Sequence, residues 1–280
     1  MRTVTKYARH LIAAVSFLAS SSSFAADDAN IIVCDDGLIY NRTADGSLKW
    51  YKHTNQKTGD DAWANAGSGV EVGNGWGSYR KILCAASGIL YAIDNKGNLV
   101  WYNHVGHRSG NQDWANSGNG VVVGNGWGEY DSVFQGGDGV IYALKRNGEL
   151  YWYRHNGWKT GNQDWANGGK GVVVGNGWNS YESLLSFKGG IIYGLKSNGD
   201  LLWYRHNGWK TGSQDWANNG SGKPVGNGWD IYQKIFSASN GSIYAISHKK
   251  VLYFYKHQGW AEGDMSWSNG GNGVVVKRAW

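Results

Sequence analysis

Proline is nearly absent from this 280-residue chain, with Pro224 alone, and cysteine occurs only at Cys34 and Cys84. The first absence excludes proline-rich linkers and stalks. The second excludes a disulfide-dense scaffold and the cysteine ladders of structural zinc sites. Neither His-x-x-x-His nor Cys-x-x-Cys occurs, and no Asp-rich loop has calcium-binding spacing, so neither a metal nor a cofactor is expected. Gly-x-Ser-x-Gly is missing, and no unique carboxylate pair stands apart from the rest, so catalysis by a nucleophilic serine or by paired acids is not expected. No run of Lys and Arg would grip a phosphate backbone, which argues against nucleic acid. Beyond residue 25 no apolar stretch is long enough to span a bilayer as a helix.

The first 25 residues differ from the rest of the chain. Arg2, Lys6 and Arg9 make a basic start, Leu11 to Leu18 is a short apolar stretch, and Ser23-Phe24-Ala25 resembles an A-x-A cleavage site. This pattern reads as a secretory signal peptide cleaved after Ala25, and it leads to the expectation of a secreted or periplasmic protein. Without it the formal net charge falls from +6 to +3, because the segment carries those three basic residues and no acidic ones. The mature chain, 26–280, is only mildly basic.

What the chain has in abundance is glycine, tryptophan and tyrosine, and they recur at one period. Trp63, Trp114, Trp165, Trp216 and Trp267 are spaced by 51 residues, as are Trp76, Trp127, Trp178, Trp229 and Trp280. The same period carries His53, His104, His155, His206 and His257, and Tyr40, Tyr91, Tyr142, Tyr193 and Tyr244. Five copies fill 26–280, at about 26–76, 77–127, 128–178, 179–229 and 230–280. The third copy reads as strands near 131–136, 140–146, 149–155 and 171–175, with Arg146-Asn147-Gly148 as a hairpin signal. Strands such as Leu201-Leu202-Trp203-Tyr204 are apolar on both faces, which suits sheets packed between neighbours. Four strands repeated five times predicts an all-β fold, a five-bladed β-propeller of four-stranded antiparallel blades. The strand near Asn30–Cys34 either opens blade one or completes blade five.

The two cysteines lie 50 positions apart, one short of the repeat, so thiols on neighbouring blades would face each other. Two readings stand: a disulfide across one blade interface, or two buried free thiols. The five histidines are expected to cap strand ends with hydrogen bonds, since residues on separate blades do not converge on one metal. The Gly-Asn-Gly-Trp motifs are expected to be turns followed by inter-blade wedges.

The loop joining the last two strands is the richest segment for binding. Copy three runs from His155 to Asn167 and copy four repeats it almost unchanged from His206 to Asn218. A sugar needs amides or carboxylates for its hydroxyls and an aromatic face for its C–H patch. Gln112, Asp113, Trp114 and Asn116 supply these in copy two, Gln163, Asp164, Trp165 and Asn167 in copy three, and Gln214, Asp215, Trp216 and Asn218 in copy four. Trp158 and Trp209 offer a second wall. The competing reading places the Trp114, Trp165 and Trp216 series in the blade core, the usual place for a tryptophan present in every copy. Copies one and five carry Ala62 and Ser266 in place of the Asp.

Asn111-Gln112-Asp113-Trp114, Val123-Gly124-Asn125-Gly126-Trp127 and Asp138-Gly139-Val140-Ile141-Tyr142-Ala143 together resemble the tachylectin-type lectins, and the likeness extends over all five copies. That resemblance implies a five-bladed propeller that binds N-acetylated amino sugars such as GlcNAc or GalNAc, one per blade, in pockets between neighbouring blades. The family motif is closer to Asp-Asn-Trp, where this chain has Gln-Asp-Trp, and the repeat here is longer. The expectation is therefore a non-catalytic, multivalent lectin, a monomeric ring whose partners are glycans and whose complete sites lie in copies two to four. A protein-interaction scaffold is the first rival and a glycan-active enzyme the second.

Overall fold

The computed structural model describes residues 31–86, 88–278 and 280. The leader read at 1–25 lies outside the described residues. Among the described residues twenty strands form five four-stranded sheets, each an antiparallel meander of consecutive strands. Blade one is β1 (Ile31–Val33), β2 (Leu38–Arg42), β3 (Leu48–Lys52) and β4 (Val70–Gly73). Blade two is β5 (Tyr79–Ala86), β6 (Ile89–Asp94), β7 (Leu99–Asn103) and β8 (Val121–Gly124). Blade three is β9 (Ser132–Gly137), β10 (Val140–Leu144), β11 (Leu150–Arg154) and β12 (Val172–Gly175). Blade four is β13 (Ser183–Phe187), β14 (Ile191–Leu195), β15 (Leu201–Arg205) and β16 (Lys223–Gly226). Blade five is β17 (Tyr232–Ser237), β18 (Ser242–Ser247), β19 (Leu252–Lys256) and β20 (Val274–Lys277).

The first strands of the blades, β1, β5, β9, β13 and β17, meet one another around a central channel. The second strands are the most apolar; Val140 to Leu144 is buried at every position, as a sheet covered on both faces requires. Each second strand sets a tyrosine opposite a large aromatic of the third: Tyr40 with Trp50, Tyr91 with Trp101, Tyr142 with Trp152, Tyr193 with Trp203 and Tyr244 with Phe254. The hairpins between them need a left-handed residue, which Gly46, Gly97, Gly148 and Gly199 supply and Lys250 (φ 59°) supplies in blade five.

Strand β1 pairs with β2, so it opens blade one, and blade five is built from its own four strands. The ring closes through side chains. Tyr244 of blade five bonds to His53 of blade one at 2.7 Å, and Trp63 Nε1 donates to the Val276 carbonyl at 2.7 Å. At the adjoining seam Cys34 and Cys84 form a disulfide that ties blade one to blade two, with Cα atoms 5.4 Å apart.

Candidate functional site

The loop between the third and fourth strands leaves each blade beside the turn between the first and second. A Cβ added to Gly139 would strike Trp158 of this loop, and Gly190 and Gly241 stand in the same relation to Trp209 and Trp260. All five loops therefore gather at one end of the ring. Each begins at a histidine, and a lone antiparallel bridge pairs that histidine with the loop tryptophan, as in His155 and Trp165.

The histidines hold the loop at the strand end, and in addition they join adjacent blades. Nδ1 of His104, His155, His206 and His257 meets the hydroxyl of Tyr40, Tyr91, Tyr142 and Tyr193 in the preceding blade at 2.5–2.8 Å. Nε2 of the same rings bonds to a carbonyl of its own loop, Asn111, Asn162, Ser213 or Asp264, at 2.5–2.7 Å. A carbonyl only accepts, so Nε2 carries the hydrogen and Nδ1 accepts from the tyrosine. That arrangement needs a neutral ring, and burial accordingly holds all five histidines below their ordinary pKa. The tyrosines are pushed upward by the same burial.

The loop tryptophans are half-buried and also cross the seams. Nε1 of Trp114, Trp165, Trp216 and Trp267 donates to the carbonyl of Val72, Val123, Val174 and Val225 in the preceding blade, each at 2.7 Å. Trp114 stacks on His104 with centroids 4.4 Å apart, and Trp76 of blade one leans on it at 5.5 Å. Trp76 and its equivalents are thus the wedges read from the sequence. Gln112, Gln163 and Gln214 donate to the Glu71, Val122 and Val173 carbonyls of the preceding outer strands at 2.8–3.0 Å.

Asp113, Asp164 and Asp215 remain exposed at the loop surface. Asp164 accepts from Asn156 Nδ2 and Asp215 from Asn207 Nδ2, both through Oδ1 at 3.1 Å. Trp158 and Trp209 are half-buried nearer the axis, and the following lysines, Lys159 and Lys210, lie over their rings at 5.2 and 5.3 Å. Their main-chain carbonyls accept from Trp101 and Trp152 of the preceding blades. Cys34 and Cys84 sit by the channel wall next to the turn Asp35–Gly37, toward the end of the ring that carries the loops.

Asn116, Asn167 and Asn218 are exposed and left-handed, with φ of 52–53°. Each starts a run of three positive-φ residues ending at Gly118, Gly169 or Gly220, and blades one and five repeat it at Asn65–Gly67 and Asn269–Gly271. Asparagine tolerates this region, but Ala66 and Ser117 hold it at a cost of about 1–2 kcal/mol each. This turn escaped the sequence reading, although its Asn-x-Gly spacing is visible in all five copies.

The channel encloses about 870 Å³. At its loop end Lys188 of blade four reaches Asp35 of blade one at 2.9 Å. Farther along the wall Lys81 is pushed down to about 8, by burial first and then by repulsion from Lys234. Among the described residues no cluster of His, Cys, Asp and Glu is arranged to hold a metal, and no helix is long and apolar enough to cross a membrane.

None of the curated proteins matches this chain. Among solved structures, a symmetrical protein studied for its de novo evolutionary emergence superposes with a TM-score of 0.53 at 21% identity, covering 85% of this chain and 92% of that one. The fucose-specific lectin from Aleuria aurantia gives a TM-score of 0.39 at 15% identity, covering 88% and 77%. The first likeness supports the propeller fold. The family model described as Tachylectin matches residues 25–104 and 63–280, which takes in every blade, its loop and its wedge tryptophan; the chain belongs to the tachylectin family of lectins.

Proposed function

We propose that this protein is an exported, non-catalytic lectin that binds N-acetylated amino sugars, such as GlcNAc or GalNAc, on cell-surface or polymeric glycans. The observation that carries the reading is the repetition of one polar, tryptophan-bearing loop at successive blade seams of a rigid ring, with copies three and four almost identical. A catalytic centre asks for one unique constellation, whereas equal loops on one face ask for a repeating ligand. Single shallow sites bind weakly, and several at fixed spacing gain through effective concentration.

Asp113, Asp164 and Asp215 are the hydrogen-bonding groups best placed to meet a sugar, with Asn116, Asn167 and Asn218 beside them. Gln112, Gln163 and Gln214 hold the loops against the preceding blade. The tryptophans Trp114, Trp165 and Trp216 build the floor of each seam, and Trp158 and Trp209 its inner border.

A glycan array probed with the purified mature protein, with free N-acetylglucosamine as competitor, tests the proposal. Binding to amino-sugar glycans that the free sugar displaces is the expected result. An array without any signal at high protein concentration would remove the lectin reading and leave a protein-binding ring.

A further inference from the structure

The five seams are not equal. The fourth strands of blades one to four end in glycine, at Gly73, Gly124, Gly175 and Gly226, and blade five has Lys277 at the same place. Lys277 reaches across to blade one, where its ammonium donates to the Gly67 carbonyl at 2.9 Å and lies over the Trp63 ring at 5.8 Å. Gly67 closes the left-handed turn of blade one. A methyl group on Gly67 would meet that ammonium at 3.0 Å. A methyl group on Gly118, Gly169, Gly220 or Gly271 would meet only its own loop tryptophan within 4 Å. The same turn, carbonyl and indole thus border a filled groove at one seam and open grooves at four.

We infer that Lys277 occupies one of five corresponding ligand grooves from within, so that the ring offers four sugar sites. This rests on the lectin reading above and deepens it. The lysine also shows what the open grooves accept: a hydrogen-bond donor on the turn carbonyl of Gly118, Gly169, Gly220 or Gly271, and a C–H or weakly cationic surface over the indole of Trp114, Trp165, Trp216 or Trp267. A pyranose has both, a hydroxyl donor and a patch of C–H beside it. The missing Asp of copy five (Ser266) would weaken its groove without closing it, whereas Lys277 closes the groove of copy one.

Counting sites by equilibrium dialysis against labelled N-acetylglucosamine at saturation tests this. The native protein should bind four sugars per chain and Lys277→Gly five. Lys277→Met, which keeps a side chain in the groove, should stay at four, and a melting temperature for each variant confirms that the ring is intact. Equal stoichiometry in the native and Lys277→Gly proteins, or a fifth site in Lys277→Met as well, overturns the assignment while leaving the lectin reading standing. If neither the native nor the Lys277→Gly protein binds the sugar, the amino-sugar reading fails and the groove assignment falls with it.

Discussion

Tyr40 of blade one donates its phenolic hydrogen to Nδ1 of His104 in blade two at 2.7 Å, and the same relation holds at every seam around the ring. Five buried neutral histidines make the ring sensitive to acid. Because burial lowers the folded pKa below the ordinary 6.5, the unfolded chain binds more protons in the interval between the two values. The stabilisation is therefore complete above about pH 6.5 and is lost as pH falls through the lowered folded value, by at most about 1.4 kcal/mol per pH unit for each histidine. The urea midpoint should be lower at pH 5.0 than at pH 7.5, with the near-UV signal of the tryptophans reporting the same transition. Identical midpoints would show that the histidines titrate alike in both states.

A single seam can be weakened without touching the loop surface. Tyr142→Phe removes the donor to His206 and leaves Nδ1 of a fully buried ring unpaired. An orphaned buried acceptor costs about 1–3 kcal/mol. The variant should unfold at correspondingly lower urea and retain sugar binding at neutral pH. Unchanged stability would mean that His206 gains another partner, and lost binding would make the hydroxyl part of the ligand site.

The disulfide acts on the unfolded chain. Cys34 and Cys84 close a loop of 50 residues between blades one and two. Chain-entropy reasoning gives about 4 kcal/mol for a loop of that length, and native bonds of this kind deliver about 2–5 kcal/mol. The double variant Cys34→Ser/Cys84→Ser should lose stability in that range while keeping its circular dichroism spectrum. A loss under about 0.5 kcal/mol would imply that the reduced chain already holds the two blades together when unfolded.

Much of the architecture was legible because a propeller repeats its sequence with its structure. The 51-residue period of Trp63, Trp114 and their equivalents gave the blade number, and the Asn147-Gly148 turn placed a hairpin where the structure has one. The histidines were harder. The partner of His104 is Tyr40, 64 residues earlier and in another blade, and no local pattern announces a bond that only ring assembly creates. The glutamines show the same limit, since Gln112 looks free in sequence yet donates to Glu71 of the neighbouring blade. Lys277 was visible as the one copy with lysine where four have glycine, but its meaning required the three-dimensional path to Gly67.

The pair Gln163 and Asp164 separates the two jobs that one loop performs. Gln163 ties the loop to the Val122 carbonyl, so Gln163→Ala should cost up to about 1 kcal/mol of stability, the net worth of one hydrogen bond. Asp164 is exposed and bonded only to Asn156 of its own loop, so Asp164→Ala should change stability by no more than about 0.5 kcal/mol. Its effect belongs in binding: one groove loses its carboxylate, the sugar count at fixed concentration drops at that site alone, and avidity for a multivalent glycan falls by more than the single-site affinity. Paired melting curves and dialysis on the two variants give the answer. If Asp164→Ala melts early and binds normally, the carboxylate is a loop brace, and the sugar must find its acceptor at the Asn167 turn instead.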